Sequence, residues 1–305
     1  MASPPPPPPR GTTSSPAVWV STGGAGRRAA SPRRGYAVRR LVVSCLVLGL
    51  LAALGGLALF TARWMGGPTC QATASGKTFA FTPEQMGNAS IITSVALKRG
   101  LPARAATIAL ATAIQESGLR NLDHGDRDSV GLFQQRPSQG WGSVAEIMDP
   151  IYSAGAFYDA LVKVKGYEDM PITEVAQEVQ RSAYPTAYAD HEDEGRALAS
   201  TLAGHSPAGL ACRLPDPSGA ASADAVQKSL EAQLGVSTSA DGSVVTVHST
   251  SAQRAWIVAS WAVAQADRYG VTKVDLAERT WKRSLNWSGP AGATGSTVTI
   301  TLAKG

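Results

Sequence analysis

Ala105-Ala106-Thr107-Ile108-Ala109-Leu110-Ala111-Thr112-Ala113-Ile114-Gln115-Glu116 is the stretch on which the reading of this chain turns. A helix on a protein surface keeps one polar face, whereas these residues are small or apolar almost all round, the pattern of a helix enclosed at the centre of a domain. Pro102 opens it and Glu116 closes the apolar run. A carboxyl group at that end is unusual, because the C-terminal end of a helix carries partial negative charge and favours Lys or Arg. Burial beside apolar side chains also disfavours the charged form, so both effects push Glu116 toward holding its proton.

The flanking sequence extends the helical pattern. Thr82-Pro83-Glu84-Gln85 has the form of a helix start, with Thr as N-cap, Pro at the first helical position and Gln closing a capping box, and Gly100 ends that helix. Residues 118–129 are polar and turn-rich, and 131–135 is a short extended candidate. Helical patterns resume at 144–148, 151–164, 172–183 and 187–202, which predicts a mostly α domain over 79–205. Residues 206–222, rich in Pro, Ser, Ala and Gly, are expected to be a linker, like 63–78 before the domain. A small α+β domain is expected over 223–305: helix near 223–234, strand at 244–248, helix at 252–269, and strands at 271–276 and 297–302. Its Trp256, Trp261, Trp281 and Trp287 either form a sugar-stacking surface or fill the core, the commoner fate of such residues.

The chain has 305 residues and a formal net charge of +5. Residues 1–40 hold seven Arg and no acid, and with Arg63 they leave residues 64–305 at −3. That balance excludes a basic surface able to track a phosphate backbone, so no nucleic-acid partner is expected. Residues 1–40, with six consecutive Pro, are expected to be a disordered cytoplasmic tail. Residues 41–62 are uncharged, and as a helix they would rise about 33 Å against a hydrocarbon core of about 30 Å. Arg39 and Arg40 immediately before this run set the N-terminus in the cytoplasm, predicting a single-pass membrane protein with its remaining residues outside. Cleavage after Ala72-Thr73-Ala74 is the competing idea, set against an apolar run longer than a signal peptide's. Cys45 is expected to be an apolar membrane residue. Cys70 and Cys212 fall outside, where disulfides persist; they pair with each other or stand as two free thiols.

Ala113-Ile114-Gln115-Glu116-Ser117-Gly118-Leu119-Arg120-Asn121, followed by Ser129-Val130-Gly131-Leu132-Phe133-Gln134-Gln135-Arg136-Pro137, resembles the motif pair of the soluble lytic transglycosylase and goose-type lysozyme superfamily. There a Glu-Ser at a helix end precedes a Gly-Leu-x-Gln-x-x-Pro segment. The resemblance covers about residues 79–205. It implies a lysozyme-like catalytic domain, so that the whole chain is expected to be mainly α, with one transmembrane helix before that domain and the small α+β domain after it. It also implies peptidoglycan glycan strands as the partner and cleavage of the β-1,4 bond between N-acetylmuramic acid and N-acetylglucosamine.

Breaking that bond needs a proton for the leaving oxygen, which Glu116 is placed to supply. By the resemblance, Ser117 supports the backbone or the acid and Gln134 faces the cleft and binds sugar; Gln135 is a further candidate sugar contact, and Trp141 either lines the cleft as a sugar platform or plugs its loop. The family's later Ala-Tyr-Asn-x-Gly motif is approached by Ser182-Ala183-Tyr184-Pro185-Thr186-Ala187-Tyr188, where Pro185 replaces Asn and Tyr184 is the candidate contact. Lytic transglycosylases use one carboxyl group, because the substrate's own C6 hydroxyl attacks. A hydrolytic goose-type lysozyme would instead draw a second carboxylate from Asp123, Asp126 or Asp128, which stand equally as a solvated turn. A wall-binding module without activity is the third reading. His124, His191, His205 and His248 show no metal-ligand spacing, and there is no H-E-x-x-H or G-x-S-x-G, so neither metal nor cofactor is expected.

Overall fold

The first element after the apolar run is a sheet. In the computed structural model, which describes residues 66–180, 187–292 and 294–304, β1 (Thr69–Ala74) and β2 (Lys77–Phe81) form an antiparallel hairpin. β3 (Leu210–Arg213) pairs along the other edge of β1, giving the order β2-β1-β3. Cys70 and Cys212 lie directly opposite each other in that pairing and are joined by a disulfide across 142 residues of sequence. In the chain-entropy picture, closing so long a loop removes up to about 5 kcal/mol of freedom from the unfolded chain. The stretches expected to be linkers thus supply strands β1 and β3.

Between these strands come the helices. The Thr82 hydroxyl and the Gln85 side chain close the capping box that starts α1 (Pro83–Lys98). α2 (Ala103–Ser117) is covered along its whole middle: every residue from Ala105 to Ala113 is buried. Around it stand α4 (Pro150–Leu161) and α5 (Ile172–Gln180), which follow the one-turn α3 (Val144–Ile147), and α6 (Glu192–Leu202), entered through a 3₁₀ turn at Ala187–His191. The closest approach is between α2 and α6. A Cβ at Gly195 would sit 2.8 Å from the Thr107 carbonyl oxygen and 3.0 Å from the Ala111 nitrogen, so only glycine lets the two backbones meet there.

The remaining elements are α7 (Ala223–Leu234), β4 (Thr238–Asp241), β5 (Val244–His248), α8 (Ala252–Ala264), α9 (Ala266–Tyr269), β6 (Val271–Leu276), β7 (Arg279–Trp281), β8 (Trp287–Ser288) and β9 (Thr297–Leu302). The strands make an antiparallel sheet ordered β4-β5-β9-β6-β7-β8. Alternate residues Val245, Val247, Val274, Leu276, Val298 and Ile300 are buried beneath α7 and α8, as period-two patterning requires. All four Trp of this region are core residues. Trp261 donates its indole N–H to Gln233 Oε1 at 2.8 Å, Trp281 to the Ser284 carbonyl at 2.7 Å and Trp287 to the Leu210 carbonyl at 2.8 Å, while Trp256 packs edge-on against Trp287. They therefore offer no sugar-stacking face.

Two antiparallel sheets, with about 45% helix and 19% strand, overturn the expected mainly-α class. The protein is α+β. The error has a physical source: Thr69–Ala74 and Leu210–Arg213 are short, rich in small residues and paired across most of the sequence, so no local periodicity announces them. The described residues from 66 onward belong to one compact unit with a continuous core. Among them no helix is long and apolar enough to cross a membrane. The apolar run 41–62 and the tail 1–40 lie outside the described residues.

The α2–α6 contact gives a direct test of this packing. Gly195→Val should cost about 2–3 kcal/mol in urea unfolding, the usual penalty for forcing atoms into a filled interior. Gly219→Ala, whose Cβ would meet nothing within 4 Å, should stay within about 0.5 kcal/mol of the parent.

Candidate active site

Glu116 occupies the last turn of α2, and the chain leaves that turn through Gly118 in the left-handed conformation. The exit is fixed by three side-chain hydrogen bonds. Gln85 Nε2 donates to the Gly118 carbonyl and Asn88 Nδ2 to the Leu119 carbonyl, each at 2.8 Å, from α1. The Ser117 hydroxyl donates to the Leu132 carbonyl at 2.7 Å, with the Ala113 carbonyl 3.0 Å away, and so fastens the helix end to the Gly131-Leu132-Phe133 segment. Ser117 thus supports backbone rather than facing solvent with a free hydroxyl. Gly131 has φ +79°, and any Cβ there would meet the Ile147 carbonyl at 2.9 Å.

The carboxyl group itself is partly buried. The Tyr188 hydroxyl, in a wholly buried side chain, donates to Glu116 Oε1 at 2.6 Å. Gln180, at the end of α5, also hydrogen-bonds the carboxyl, and its Nε2 donates to the Phe133 carbonyl at 2.7 Å. Burial raises the Glu116 pKa, while the bonds from Tyr188 and Gln180 pull it down; burial prevails, and the net shift is upward. The 3₁₀ turn that carries Tyr188 is braced by His191, whose Nδ1 lies 2.8 Å from Glu194 Oε2 and Nε2 3.2 Å from Gln115 Oε1.

A groove of about 740 Å³ runs between α4, α5 and the loop before α3. Trp141, Tyr152, Asp159, Lys163, Glu178 and Gln180 are among its lining residues. Gln180 therefore faces the groove and touches the acid, and Trp141 stands in the groove's wall.

The other candidates are distributed differently. Gln134 turns into its own loop, with Nε2 3.3 Å from both the His124 and Gly131 carbonyls. Gln135 is buried and donates to the Ser153 carbonyl at 3.1 Å, tying the loop to α4. Asp123 is exposed and pairs with the neighbouring His124, whose hydrogen bond and charge lower its pKa. Asp126 is exposed beside Arg127. Asp128 binds the Ser138 backbone N–H, the Ser138 hydroxyl and Arg136, so that its carboxylate is held well below the usual range and committed to its loop. Tyr184 lies outside the described residues. Among the described residues no cluster of three or more His, Cys, Asp or Glu side chains is arranged to hold a metal ion.

Two residues that sequence reading missed make the site. Ala187-Tyr188 matches the Ala-Tyr of the family motif as well as Ala183-Tyr184 does, and that second pair was the available signal. Gln180 carried none: a polar residue near the end of a helical pattern is ordinary until tertiary packing aims it.

The raised pKa has a consequence for stability whose sign can be fixed. A group held more easily protonated in the folded state stabilises fully below its unfolded pKa, and that contribution is lost as pH rises through the folded value. Glu116→Gln, neutral at every pH, should therefore differ little from the parent near pH 4 and gain on it toward pH 8, read by urea unfolding of both chains at each pH. A difference that stays flat, or runs the other way, would contradict the desolvated carboxyl. No protein-family model and no curated protein matches this chain.

Proposed function

We propose that the chain is a peptidoglycan lytic transglycosylase, cleaving the β-1,4 bond between N-acetylmuramic acid and N-acetylglucosamine with Glu116 as acid and then base. The observation that carries this is a partly buried carboxyl, its pKa raised, held by Tyr188 and by Gln180, the residue that joins it to the groove. The Glu-Ser and Gly-Leu-x-Gln-x-x-Pro resemblance supplies the substrate class.

In this reading the protonated Glu116 gives its proton to the glycosidic oxygen as the C–O bond breaks and positive charge develops at the anomeric carbon. The carboxylate left behind accepts hydrogen bonds from Tyr188 and Gln180, which hold it where a base is next needed. The C6 hydroxyl of the same sugar then attacks the anomeric carbon, and its proton passes to Glu116, regenerating the acid and leaving a 1,6-anhydro end. One carboxyl group suffices. The placement of Asp123 and Asp126 in solvent and of Asp128 in its loop clamp favours this route over hydrolysis, which needs a second carboxylate near the first.

The reading extends to location. The Cys70–Cys212 disulfide belongs to an oxidising compartment, and the Arg-rich flank of residues 41–62 would leave the enzyme tethered outside the cytoplasmic membrane. A tethered enzyme acts on strands close to the membrane.

Glu116→Gln should abolish release of soluble fragments from purified peptidoglycan while the chain stays folded; full activity in that variant ends the proposal. Mass spectrometry of fragments released by the parent should show ends about 18 Da, one water, below reducing sugars. Reducing ends would make it a hydrolase, and sedimentation with sacculi without any release would make it a binding module. Trp141→Ala should raise KM for glycan about tenfold with kcat little changed, the pattern of lost ground-state stacking.

A further inference from the structure

A second place in the molecule has the features of a ligand site. Arg279 begins β7, where it pairs with Leu276 of β6, and Trp281 two residues on pairs with Val274. Leu276, Val274 and Trp281 are all buried on the helix-facing side of the sheet. Strand alternation puts Arg279 on that same side, so a guanidinium enters the edge of an apolar layer. Its Nε is covered from solvent and has no hydrogen-bond partner, and among the described residues nothing pairs with the side chain. Neighbouring cations are treated otherwise: Arg283 donates to the carbonyls of Pro215, Ala266 and Val271, and Arg254 to that of Leu234. A donor covered from water without an acceptor is costly, and the rest of this partly exposed guanidinium is left free to take a counter-group.

The space beside Arg279 is a pocket of about 270 Å³, lined also by Trp256, Gln253, Pro207 and Thr294. No acidic residue lines it. The volume equals that of about nine waters in the liquid, room for a carboxylate carried on one or two small residues. A guanidinium offers two parallel N–H donors to a carboxylate, and Pro207, Ala252 and the exposed edge of Trp256 supply apolar contact for what the carboxylate is attached to.

We propose that Arg279 anchors a binding pocket, separate from the Glu116 groove, for a carboxylate borne on a small apolar group. Two sources share that chemistry: the C-terminus of a short peptide and a free small carboxylic acid. The proposal stands whether or not Glu116 cleaves glycan.

The test is thermal unfolding of the purified full-length chain and of Arg279→Met, titrated with acetyl-alanyl-alanine, its C-terminal amide, propionate and inorganic phosphate. The expected result is a saturable rise in Tm with the free-acid dipeptide, none with the amide, and none for any probe in Arg279→Met. Saturation by the dipeptide at about tenfold lower concentration than propionate assigns a peptide terminus, and equal saturation assigns a free acid. Without ligand, Arg279→Met should be at least as stable as the parent, since it removes a covered N–H that has no acceptor. The proposal is overturned by a loss of ligand-free stability, which would make Arg279 a structural residue. It is equally overturned by no saturable response, by the same response in Arg279→Met, or by phosphate acting as well as the carboxylates.

Discussion

A carboxyl group set at the end of a helix whose middle water does not reach is the constraint around which the rest is arranged. α2 is sealed from Ala105 to Ala113, and sealing it requires α6 to approach so closely that Gly195 is the residue at the crossing. The 3₁₀ turn that leads into α6 carries Tyr188, so the approach that closes the helix also delivers a phenol to its last acidic side chain. Burial of the helix and construction of the site are one packing event.

The sheets complete that packing. α1 touches α2 and α4 on one side and α7 and α8 on the other, acting as a wall shared by two sets of elements. The contact with α8 is polar as well as apolar: Gln265 Nε2 reaches the Gly87 carbonyl at 2.9 Å and the Ser90 hydroxyl at 2.7 Å inside the core. Trp287 bonds the Leu210 carbonyl of β3, two residues before Cys212 in the same strand. α1 also holds Gly118 and Leu119 at the exit of α2, so the one helix borders both α7 and α8 and the segment that positions Glu116. Elements joined in this way are expected to open together rather than singly.

How much of this was legible depended on the range of the interaction. The α1 start was written in four adjacent residues, Thr82 to Gln85, and the structure uses both halves of the capping box. The helix 223–234 and the strands 244–248, 271–276 and 297–302 were equally plain, because their periodicity is local and their burial one-sided. The β1–β3 pairing was not, since its partners are 142 residues apart at the cysteines and neither strand is β-branched enough to declare itself. Glu116 was readable because its anomaly is local, an acid at the negative end of an apolar helix. Gln180 was not, because its role arises from where α5 ends relative to Phe133.

The opposing influences on Glu116 belong together. Burial alone would make a carboxyl group that holds its proton but becomes an unstable anion once the proton leaves. Donors alone would make a stable carboxylate with no proton to give at neutral pH. Here burial is the larger effect, so the pKa is raised above the ordinary carboxylate value, while Tyr188 and Gln180 limit the penalty of ionising. A single group asked to give and then retake a proton needs both, with its two states kept close in free energy. Neither exposed Asp123 nor loop-bound Asp128 has that balance: in each the hydrogen bonds outweigh desolvation and the net shift is toward the carboxylate, and that difference in environment marks Glu116 apart among the acids of this region.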